Sequence, residues 1–423
     1  MNLYNLFPLL AGPLTGWGKH FSRAAGMGFD WVFINPIQQP GASRSLYSIA
    51  DYFGINPVLL DPRASASPED QVRKMIADAQ AAGLKVMIDL VINHCAIDAP
   101  LTREHPEWFV RDEKGRITNA SCQHNGDKVV WKDLAQFDHE HTRDREGLYV
   151  YTLRVMQHLL GLGFEGFRCD AAYQVPRAFW QRLIRDVKKQ HPKTCFAAET
   201  LGCSADQTLD TARAGFDYVF NSSKWWNLRD WWLIEQYSLL RETTASISFA
   251  ESHDTARLCH ELDGNAAGLK QRYLVSALFS AGVMMPIGFE YGFRKPLHVV
   301  DTTPDDWEPT TVDLSPFVSK VNAIRKNHPV FQEESPTNLL PCDNPNILLM
   351  WKASVKHKEE ALLILNRDVQ QHQEFQTDHF RRFVQSQAPL RDVSPEHAMD
   401  YLHEPFHYAL RPGQGIVLVT KRG

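Results

Sequence analysis

The sequence predicts a (β/α)8 TIM barrel with a short insert after the third strand and a C-terminal antiparallel β-domain. Short apolar runs alternate with segments of helical periodicity over about 330 residues. Two segments depart from this alternation. Residues 94–140 are polar and too long for a plain loop, and from about residue 335 the helical pattern gives way to strands. Together these observations favour one large barrel with additions over two or three separate domains.

Eight apolar runs predict the barrel strands, because strands buried on both faces read as continuous apolar segments. They are Leu3–Leu9, Trp31–Asn35, Val86–Ile92, Phe164–Cys169, Cys195–Ala198, Tyr218–Phe220, Ser246–Phe249 and Val283–Ile287. Helices are expected between most of them, such as the one that follows the start signal Ser67-Pro68 and carries an apolar face up to Ala79. Near the C-terminus, Asn346–Trp351, Ala361–Leu365 and Gly415–Val419 predict strands separated by polar turns.

The predicted elements give the domain boundaries. The barrel takes residues 1–93 and 141–334, and the inserted subdomain takes residues 94–140. Residues 335–423 form a C-terminal β-sandwich domain.

The composition excludes several classes of protein. The 423 residues are 43% hydrophobic and 22% charged, and the net charge of −5 offers no basic footprint for nucleic acid or an anionic membrane. The seven cysteines are scattered without metal-ligand spacing, and the apolar N-terminal run lacks the basic start of a signal peptide. We expect a cytoplasmic protein that binds neither nucleic acid nor a membrane. The sequence leaves its oligomeric state open.

Charged side chains follow several predicted strands, at the rim where barrel enzymes carry their catalytic groups. Asp89 lies at the end of the third strand, Arg168 and Asp170 at the end of the fourth, and Glu199 at the end of the fifth. Asp254 follows the seventh. Any one of them could cap the next helix, but their occurrence at four strand ends indicates a shared site.

Three carboxylates in one cleft suit the cleavage of an acetal through an oxocarbenium-like transition state. One carboxylate attacks, a protonated second gives its proton to the leaving oxygen, and a third holds the distorted sugar ring. An arginine beside the nucleophile keeps it ionised. The apolar run before Glu199 fits an acid whose pKa is raised.

Four segments resemble, in order, the four signature regions of the α-amylase superfamily, glycoside hydrolase family 13. They are DLVINH at Asp89–His94, GFEGFRCDAA at Gly163–Ala172, AAE at Ala197–Glu199 and ESHD at Glu251–Asp254. The resemblance covers nearly the whole chain. It implies a retaining double displacement at α-glucosidic bonds, with Asp170 as nucleophile, Glu199 as acid/base and Asp254 as transition-state stabiliser.

The same resemblance implies five substrate-binding or positioning residues. Arg168 matches the arginine two residues before the nucleophile, and His94 and His253 match histidines that bind the sugar hydroxyls of the −1 subsite. Tyr47 matches the tyrosine that stacks on the −1 sugar. Asp89 matches an aspartate that positions the site through hydrogen bonds.

Within the superfamily, several stretches resemble the bacterial maltose-1-phosphate maltosyltransferases. They are His105–Phe109, Trp131–Glu140, Val175–Ile184 and Phe317–Phe331. The chain departs from that family in having Ala171 instead of an asparagine after the nucleophile, and in having His253. We therefore place α-glucan hydrolysis ahead of glucan transfer from maltose-1-phosphate or a maltooligosaccharide. A non-catalytic binding subunit is a minor alternative.

We expect no cofactor and no bound metal. Asn93 matches a residue that holds calcium in many α-amylases, but nothing like the family's Lys-His follows the nucleophile, where Ala171-Ala172-Tyr173 stands instead. We expect Asn93 to form hydrogen bonds within the insert. The pairs Trp225-Trp226 and Trp231-Trp232 follow the sixth strand and are either sugar platforms or helix residues packed on the barrel.

Overall fold

In the computed structural model, which describes residues 1–124, 127–310 and 312–422, eight parallel strands close into a barrel in the order of the sequence. We number them β1 (Asn2–Leu6), β2 (Trp31–Ile34), β3 (Lys85–Leu90), β4 (Gly166–Cys169), β5 (Cys195–Ala198), β6 (Tyr218–Phe220), β7 (Ala245–Phe249) and β8 (Gly282–Pro286). The barrel closes where β1 pairs with both β2 and β8. The predicted barrel is confirmed.

In the part of the chain that the structure describes, eight longer helices connect the strands or follow the last one. They are Gly18–Gly26, Pro68–Ala81, Arg145–Leu162, Arg177–Gln190, Ala205–Ala212, Trp232–Leu240, Ala266–Phe279 and Ser315–Asn327. The loops among the described residues also contain helices of four residues, at Pro8–Ala11, Leu101–Glu104 and Leu258–Glu261. The helix predicted after Ser67 begins as expected, because the Ser67 side chain accepts a hydrogen bond from the backbone N–H of Asp70.

The first strand is shorter than predicted. It ends at Leu6, and the chain turns into the helix Pro8–Ala11, with the proline at a helix start, where its missing N–H costs nothing. The apolar run continues through both elements because all of their residues are buried. Hydrophobicity alone therefore could not separate the strand from the helix.

Two small antiparallel sheets lie beside the barrel. Within the predicted insert, the strands His94–Ala96, Asn119–His124 and Asp127–Gln136 form a three-stranded sheet. A two-stranded sheet of Gln38–Pro40 and Ile49–Ile55 precedes it in the chain. The two-stranded sheet was not predicted, because Gln38–Pro40 has only three residues and the burial along Ile49–Ile55 does not alternate.

The C-terminal part is antiparallel, as predicted. Its five-stranded sheet contains, in spatial order, Thr337–Leu340, Ile347–Ala353, Glu359–Asn366, Gly415–Lys421 and Arg391–Asp392. A second sheet pairs Gln373–Thr377 with Phe406–Leu410. Alternate residues of the larger sheet pack into different clusters: Leu348 and Leu363 join the barrel core, whereas Leu349 and Leu362 join Phe375 of the second sheet. The domain boundaries given above remain our proposal.

None of the helices in the described residues combines the length and the apolar character needed to cross a membrane.

The packing of β4 against its neighbours gives a first prediction. A Cβ atom on Gly166 would lie 2.9 Å from the carbonyl oxygen of Cys195 and 3.2 Å from the side chain of Met87. We expect Gly166→Ala to lower the free energy of unfolding by about 1–3 kcal/mol, because β4 must shift to make room. Urea-induced unfolding measures the change.

Gly161→Ala is the matched control for this substitution. A Cβ at Gly161, in the last turn of Arg145–Leu162, would meet no atom within 4 Å. Its free energy of unfolding should stay unchanged or rise by up to about 1 kcal/mol, since alanine favours a helix more than glycine does. Equal stabilities of the two variants would show that β4 is not tightly packed at this point.

Candidate active site

The guanidinium of Arg168 is at the centre of the site. Its Nη1 donates to both oxygens of Asp89, each at 3.0 Å, and to Oδ1 of Asp170 at 2.7 Å. Its Nη2 lies 4.0 Å from Oε2 of Glu199 and 3.9 Å from Oδ2 of Asp254. The side chain of Arg168 is only 3% exposed. One buried cation therefore lies within 4 Å of all four predicted carboxylates.

Strand register explains why these groups meet. Asp89 on β3 lies directly opposite Arg168 on β4, and Arg168 lies opposite Ala197 on β5, two residues before Glu199. The backbone N–H of Asp170 donates to Leu90, which continues the pairing of β3 and β4 past the strand end. Parallel strands end at one rim of a barrel, so residues at equivalent positions converge there.

Tyr47 and His253 complete the wall next to Asp89. The Tyr47 hydroxyl donates to Oδ2 of Asp89 at 2.7 Å and lies 2.6 Å from Nε2 of His253. It also accepts a hydrogen bond from Nδ2 of Asn35 at 2.9 Å. The Tyr47 and His253 rings are nearly parallel, with an angle of 3° between them. The other predicted histidine, His94, reaches the backbone oxygen of Tyr47 through its Nε2 at 3.1 Å.

Glu199 is held by backbone donors. Its Oε2 accepts from the N–H of Ala171 at 2.6 Å, and its Oε1 accepts from the N–H of Leu201 at 2.9 Å. Ala171 has a φ of 39°, in the left-handed region that residues other than glycine seldom adopt. Burial raises the pKa of Glu199 to about 7, and Arg168 offsets only part of that effect.

The remaining predicted carboxyls differ in their surroundings. Asp89 is completely buried, and burial raises its pKa to about 6 in spite of the ion pair with Arg168. The Asp254 side chain is 49% exposed, and its Oδ2 lies 3.0 Å from Nε2 of His253. Desolvation acts to raise the pKa of Asp254, but His253 and Arg168 outweigh it and the pKa is lowered. The site thus contains both a carboxyl that retains its proton near neutrality and one that ionises readily.

A cavity of about 430 Å³ opens beside these groups, between the barrel rim and the insert. The predicted residues Tyr47, His94, Asp170, Glu199 and Asp254 line it. Trp131 and Asp133 also line it and were missed as site residues. They come from the strand Asp127–Gln136, where their spacing of two places both side chains on one face. This alternation in the sequence could have predicted that Trp131 and Asp133 share a face. The sequence did not show that this face is turned toward the site.

Asn93 and the tryptophan pairs can also be located. Nδ2 of Asn93 donates to Gln174, and Gln174 donates to Ser121 of the insert. The backbone oxygen of Asn93 accepts directly from the N–H of Phe137 in the insert at 3.1 Å. Trp226 is buried and packs near Phe279, and Trp232 packs partly buried against the barrel core. The first members of the two pairs are about half exposed, Trp225 at 51% and Trp231 at 50%.

One group of potential metal ligands occurs among the described residues: His105, Glu107 and Asp144, all of them partly exposed. The Asp144 carboxylate already accepts from Nε1 of Trp108 at 3.0 Å and from the backbone N–H of Gly147 at 2.9 Å. It is the N-cap of the helix Arg145–Leu162, so its position has a structural explanation.

The chain is similar to known proteins in sequence and in fold. Residues 1–113 match the family model described as glycogen debranching enzyme, glucanotransferase domain. The chain is 26% identical over 392 residues to an alpha-1,4-glucan:maltose-1-phosphate maltosyltransferase of Burkholderia pseudomallei, which covers 86% of the chain and 32% of that protein. Maltosyltransferase 1 of Streptomyces coelicolor is also 26% identical, covering 88% of the chain and 59% of that protein. The chain thus spans between a third and three-fifths of these relatives.

Solved structures show the same fold over the full chain. An α-amylase from Lactobacillus plantarum superposes with a TM-score of 0.78 at 20% identity, and the match covers 99% of this chain and 98% of that one. An α-amylase from Geobacillus thermoleovorans superposes with a TM-score of 0.78 at 14% identity, and the match again covers 99% of this chain and 98% of that one. The barrel, its insert and the C-terminal sheet are therefore the architecture of α-amylases. The resemblance to α-amylases and maltosyltransferases that the sequence segments predicted is therefore confirmed: the chain shares the fold of the former and is similar in sequence to the latter.

The central place of Arg168 gives the second prediction. We expect Arg168→Met to lower the free energy of unfolding by about 3–5 kcal/mol, because it leaves Asp89 and Asp170 without their shared buried cation. Thermal and urea-induced unfolding measure the loss.

Arg182→Met is the control for this change. Arg182 binds Glu146 through two hydrogen bonds of 2.6 and 2.7 Å, but the two side chains are 42% and 64% exposed. Its loss should cost less than about 1 kcal/mol, as is usual for surface ion pairs. A similar cost for both variants would mean that Arg168 does not hold the site together.

Proposed function

We propose that the protein cleaves α-1,4-glucosidic bonds by retaining double displacement through a covalent glycosyl intermediate on Asp170. The observation that carries this proposal is the set of three carboxyls, Asp170, Glu199 and Asp254, within 4 Å of one buried guanidinium and beside an open cleft. Retaining glycosidases need a nucleophile and a protonated acid side by side. Asp170 lies 2.7 Å from the Arg168 guanidinium, whereas Glu199 lies 4.0 Å from it and has a pKa raised to about 7.

The reaction proceeds in two steps on these residues. A carboxylate oxygen of Asp170 forms a bond to the anomeric carbon, and the bond to the leaving oxygen breaks as that oxygen takes the proton of Glu199. The Glu199 carboxylate then takes a proton from a water molecule or a sugar hydroxyl, whose oxygen displaces Asp170. Asp254 and Arg168 stabilise and orient the charged transition state, while Tyr47, His94 and His253 bind the ring.

A glucan transferase is the second candidate, and the names of the relatives favour it. Hydrolysis and transfer share the covalent intermediate and differ only in the acceptor. The transferases named above are described as using maltose-1-phosphate, which carries a doubly charged phosphate. The choice of donor therefore depends on the charge of the cleft.

The charge of the cleft favours a neutral donor. The acidic residues Asp133, Asp170 and Asp254 line it together with Glu199, which retains its proton near neutrality. The lining residues that the structure describes include neither lysine nor arginine. The nearest cation, Arg168, is buried and already bound to Asp89 and Asp170. Because like charges repel strongly in a partly desolvated site, we place a neutral α-glucan or maltooligosaccharide ahead of a sugar phosphate.

A cytoplasmic location is also part of the proposal. All seven cysteines are free thiols, and four of them are buried within the fold. Thiols without disulfide partners suit a reducing compartment. Fractionation of cells that express the full chain tests this point.

Product sizing tests the reaction and its donor together. Incubation with maltoheptaose alone should give shorter sugars. Addition of maltose-1-phosphate should neither release phosphate nor lengthen the chains. Release of phosphate together with chain extension would show instead that the protein is a glucan transferase that uses maltose-1-phosphate. If maltoheptaose is unchanged both with and without maltose-1-phosphate, the enzymatic proposal is overturned in favour of a binding subunit.

Asp170→Ala is the control for that experiment. It should reduce kcat by at least about 10⁴-fold, because the covalent route is lost, while the melting temperature changes little. Turnover near that of the wild type would exclude Asp170 as the nucleophile.

The raised pKa of Glu199 predicts the alkaline side of the pH profile. The free enzyme should lose kcat/KM on maltoheptaose as the pH rises above about 7, with a tenfold fall per pH unit, because the ionised carboxylate has no proton to give. With maltosyl fluoride, whose leaving group needs little protonation, this limb should be absent. Glu199→Gln should be slow on maltoheptaose and should not show the limb. An identical alkaline limb for both substrates would assign it to another group.

A further inference from the structure

A buried ion pair closes the loop that carries Asp254. Nη1 of Arg257 donates to Oε1 of Glu251 at 2.8 Å, and the backbone N–H of Leu258 donates to Oε2 of the same carboxylate. Glu251 follows the end of β7, and Arg257 immediately precedes the short helix Leu258–Glu261. The five residues between them form a loop with His253 and Asp254 near its middle. The pair therefore fastens both ends of this loop together.

Neither member of the pair can reach the substrate. Each is 1% exposed, and neither lines the cavity beside Asp170 and Glu199. Nε of Arg257 donates to the backbone oxygen of Lys295, in the loop after β8. This contact ties the Asp254 loop to its neighbour along the rim, so any effect of the pair on the reaction must pass through the backbone.

Asp254 itself depends on that backbone for its position. Within the described residues, its carboxylate reaches only Nε2 of His253 at 3.0 Å and Nη2 of Arg168 at 3.9 Å. The loop is shaped by Ser252 and Thr255: the N–H of Ser252 donates to Oγ1 of Thr255, and the N–H of Asp254 donates to Oγ of Ser252. Half of the Asp254 side chain is exposed, so packing does not fix it.

We propose that Glu251 and Arg257 are positioning residues that hold the Asp254 loop in the geometry required by the transition state. The inference rests on the proposed glycosidic reaction. A stabiliser that acts only in the transition state must be placed before the reaction begins, and misplacement by about 1 Å can cost about 10²-fold in rate. The pair supplies that placement through two fixed ends of the loop and one link to the adjacent loop.

The first test is Glu251→Gln. The new amide can keep one acceptor oxygen but presents an N–H₂ group to either Arg257 or the Leu258 N–H, so one end of the loop is released. We expect kcat on maltoheptaose to fall by about 10- to 100-fold and KM to change by less than about threefold. A residue that affected only folding would leave the kcat of the folded fraction unchanged.

Glu360→Gln is the matched control. Glu360 is a fully buried carboxylate in the C-terminal sheet that accepts from Nε of Arg422 and from the backbone N–H groups of Gln385 and Ser386. It combines a guanidinium with backbone donors, as Glu251 does, but lies outside the barrel. It should lose melting temperature to a similar extent and keep the kcat of the wild type.

Arg257→Lys provides a second variant in case Glu251→Gln does not fold. Lysine keeps the charge near Glu251 but cannot also donate to the Lys295 carbonyl as the guanidinium fork does. Its kcat should fall by about 10-fold, at the lower end of the range expected for Glu251→Gln. If either variant folds and keeps kcat within about threefold of the wild type, the positioning role is overturned.

Amide hydrogen exchange tests the positioning role of Glu251 and Arg257 independently of the proposed glycosidic reaction. Amides of residues 252–256 should exchange faster in Glu251→Gln than in the wild type or Glu360→Gln, with or without enzymatic activity. A wild-type protein inactive on maltoheptaose would overturn the proposed function, while exchange would still report on the loop. Unchanged exchange in this segment would overturn the clamp even if the wild type is active.

Discussion

The site depends on one buried guanidinium among four carboxylates. Asp89 and Asp170 bind Arg168 directly, and Glu199 and Asp254 lie at the edge of its reach. Repulsion among these carboxylates would destabilise the fold if no cation were held in a fixed position between them. The fold fixes it through strand register, because Asp89 and Arg168 are opposite each other on β3 and β4. The closed barrel is therefore what makes the electrostatic arrangement possible.

One cation cannot neutralise four anions, so protons make up part of the difference. The pKa of Glu199 is raised to about 7 and that of Asp89 to about 6, in each case chiefly by burial. A carboxyl whose pKa is higher in the native state than in the unfolded state makes the fold more stable at acid pH than at alkaline pH. That part of the stability is lost as the pH rises through the native pKa. For Glu199, a shift from 4.5 to about 7 corresponds to about 3 kcal/mol near neutrality. The folded protein is less stable near neutrality by this amount. In return, the proposed mechanism has an acid, Glu199, that still holds its proton.

The sequence was informative where one physical rule determined the position of a residue. The eight strands could be predicted because strands buried on both faces are apolar throughout, and the carboxylates could be expected to converge because parallel strands end at one rim. Trp131 and Asp133 escaped prediction because their strand belongs to the insert, whose orientation over the barrel depends on tertiary contacts. In the sheet of Gln38–Pro40 with Ile49–Ile55, the first strand has three residues and burial along the second does not alternate, so neither strand has the period of two that would have predicted it.

The exposed position of Asp254 has a structural consequence that the buried groups do not share. Asp89 and Arg168 are fixed by complete burial, and Glu199 is fixed by two backbone N–H groups. In the proposed mechanism Asp254 remains open to meet a sugar, so packing around its side chain cannot hold it. Its geometry must then come from the loop backbone, and the loop is closed by Glu251 and Arg257. In the proposed mechanism, the carboxylate of Asp254 meets the substrate and is positioned by the buried carboxylate of Glu251, which does not.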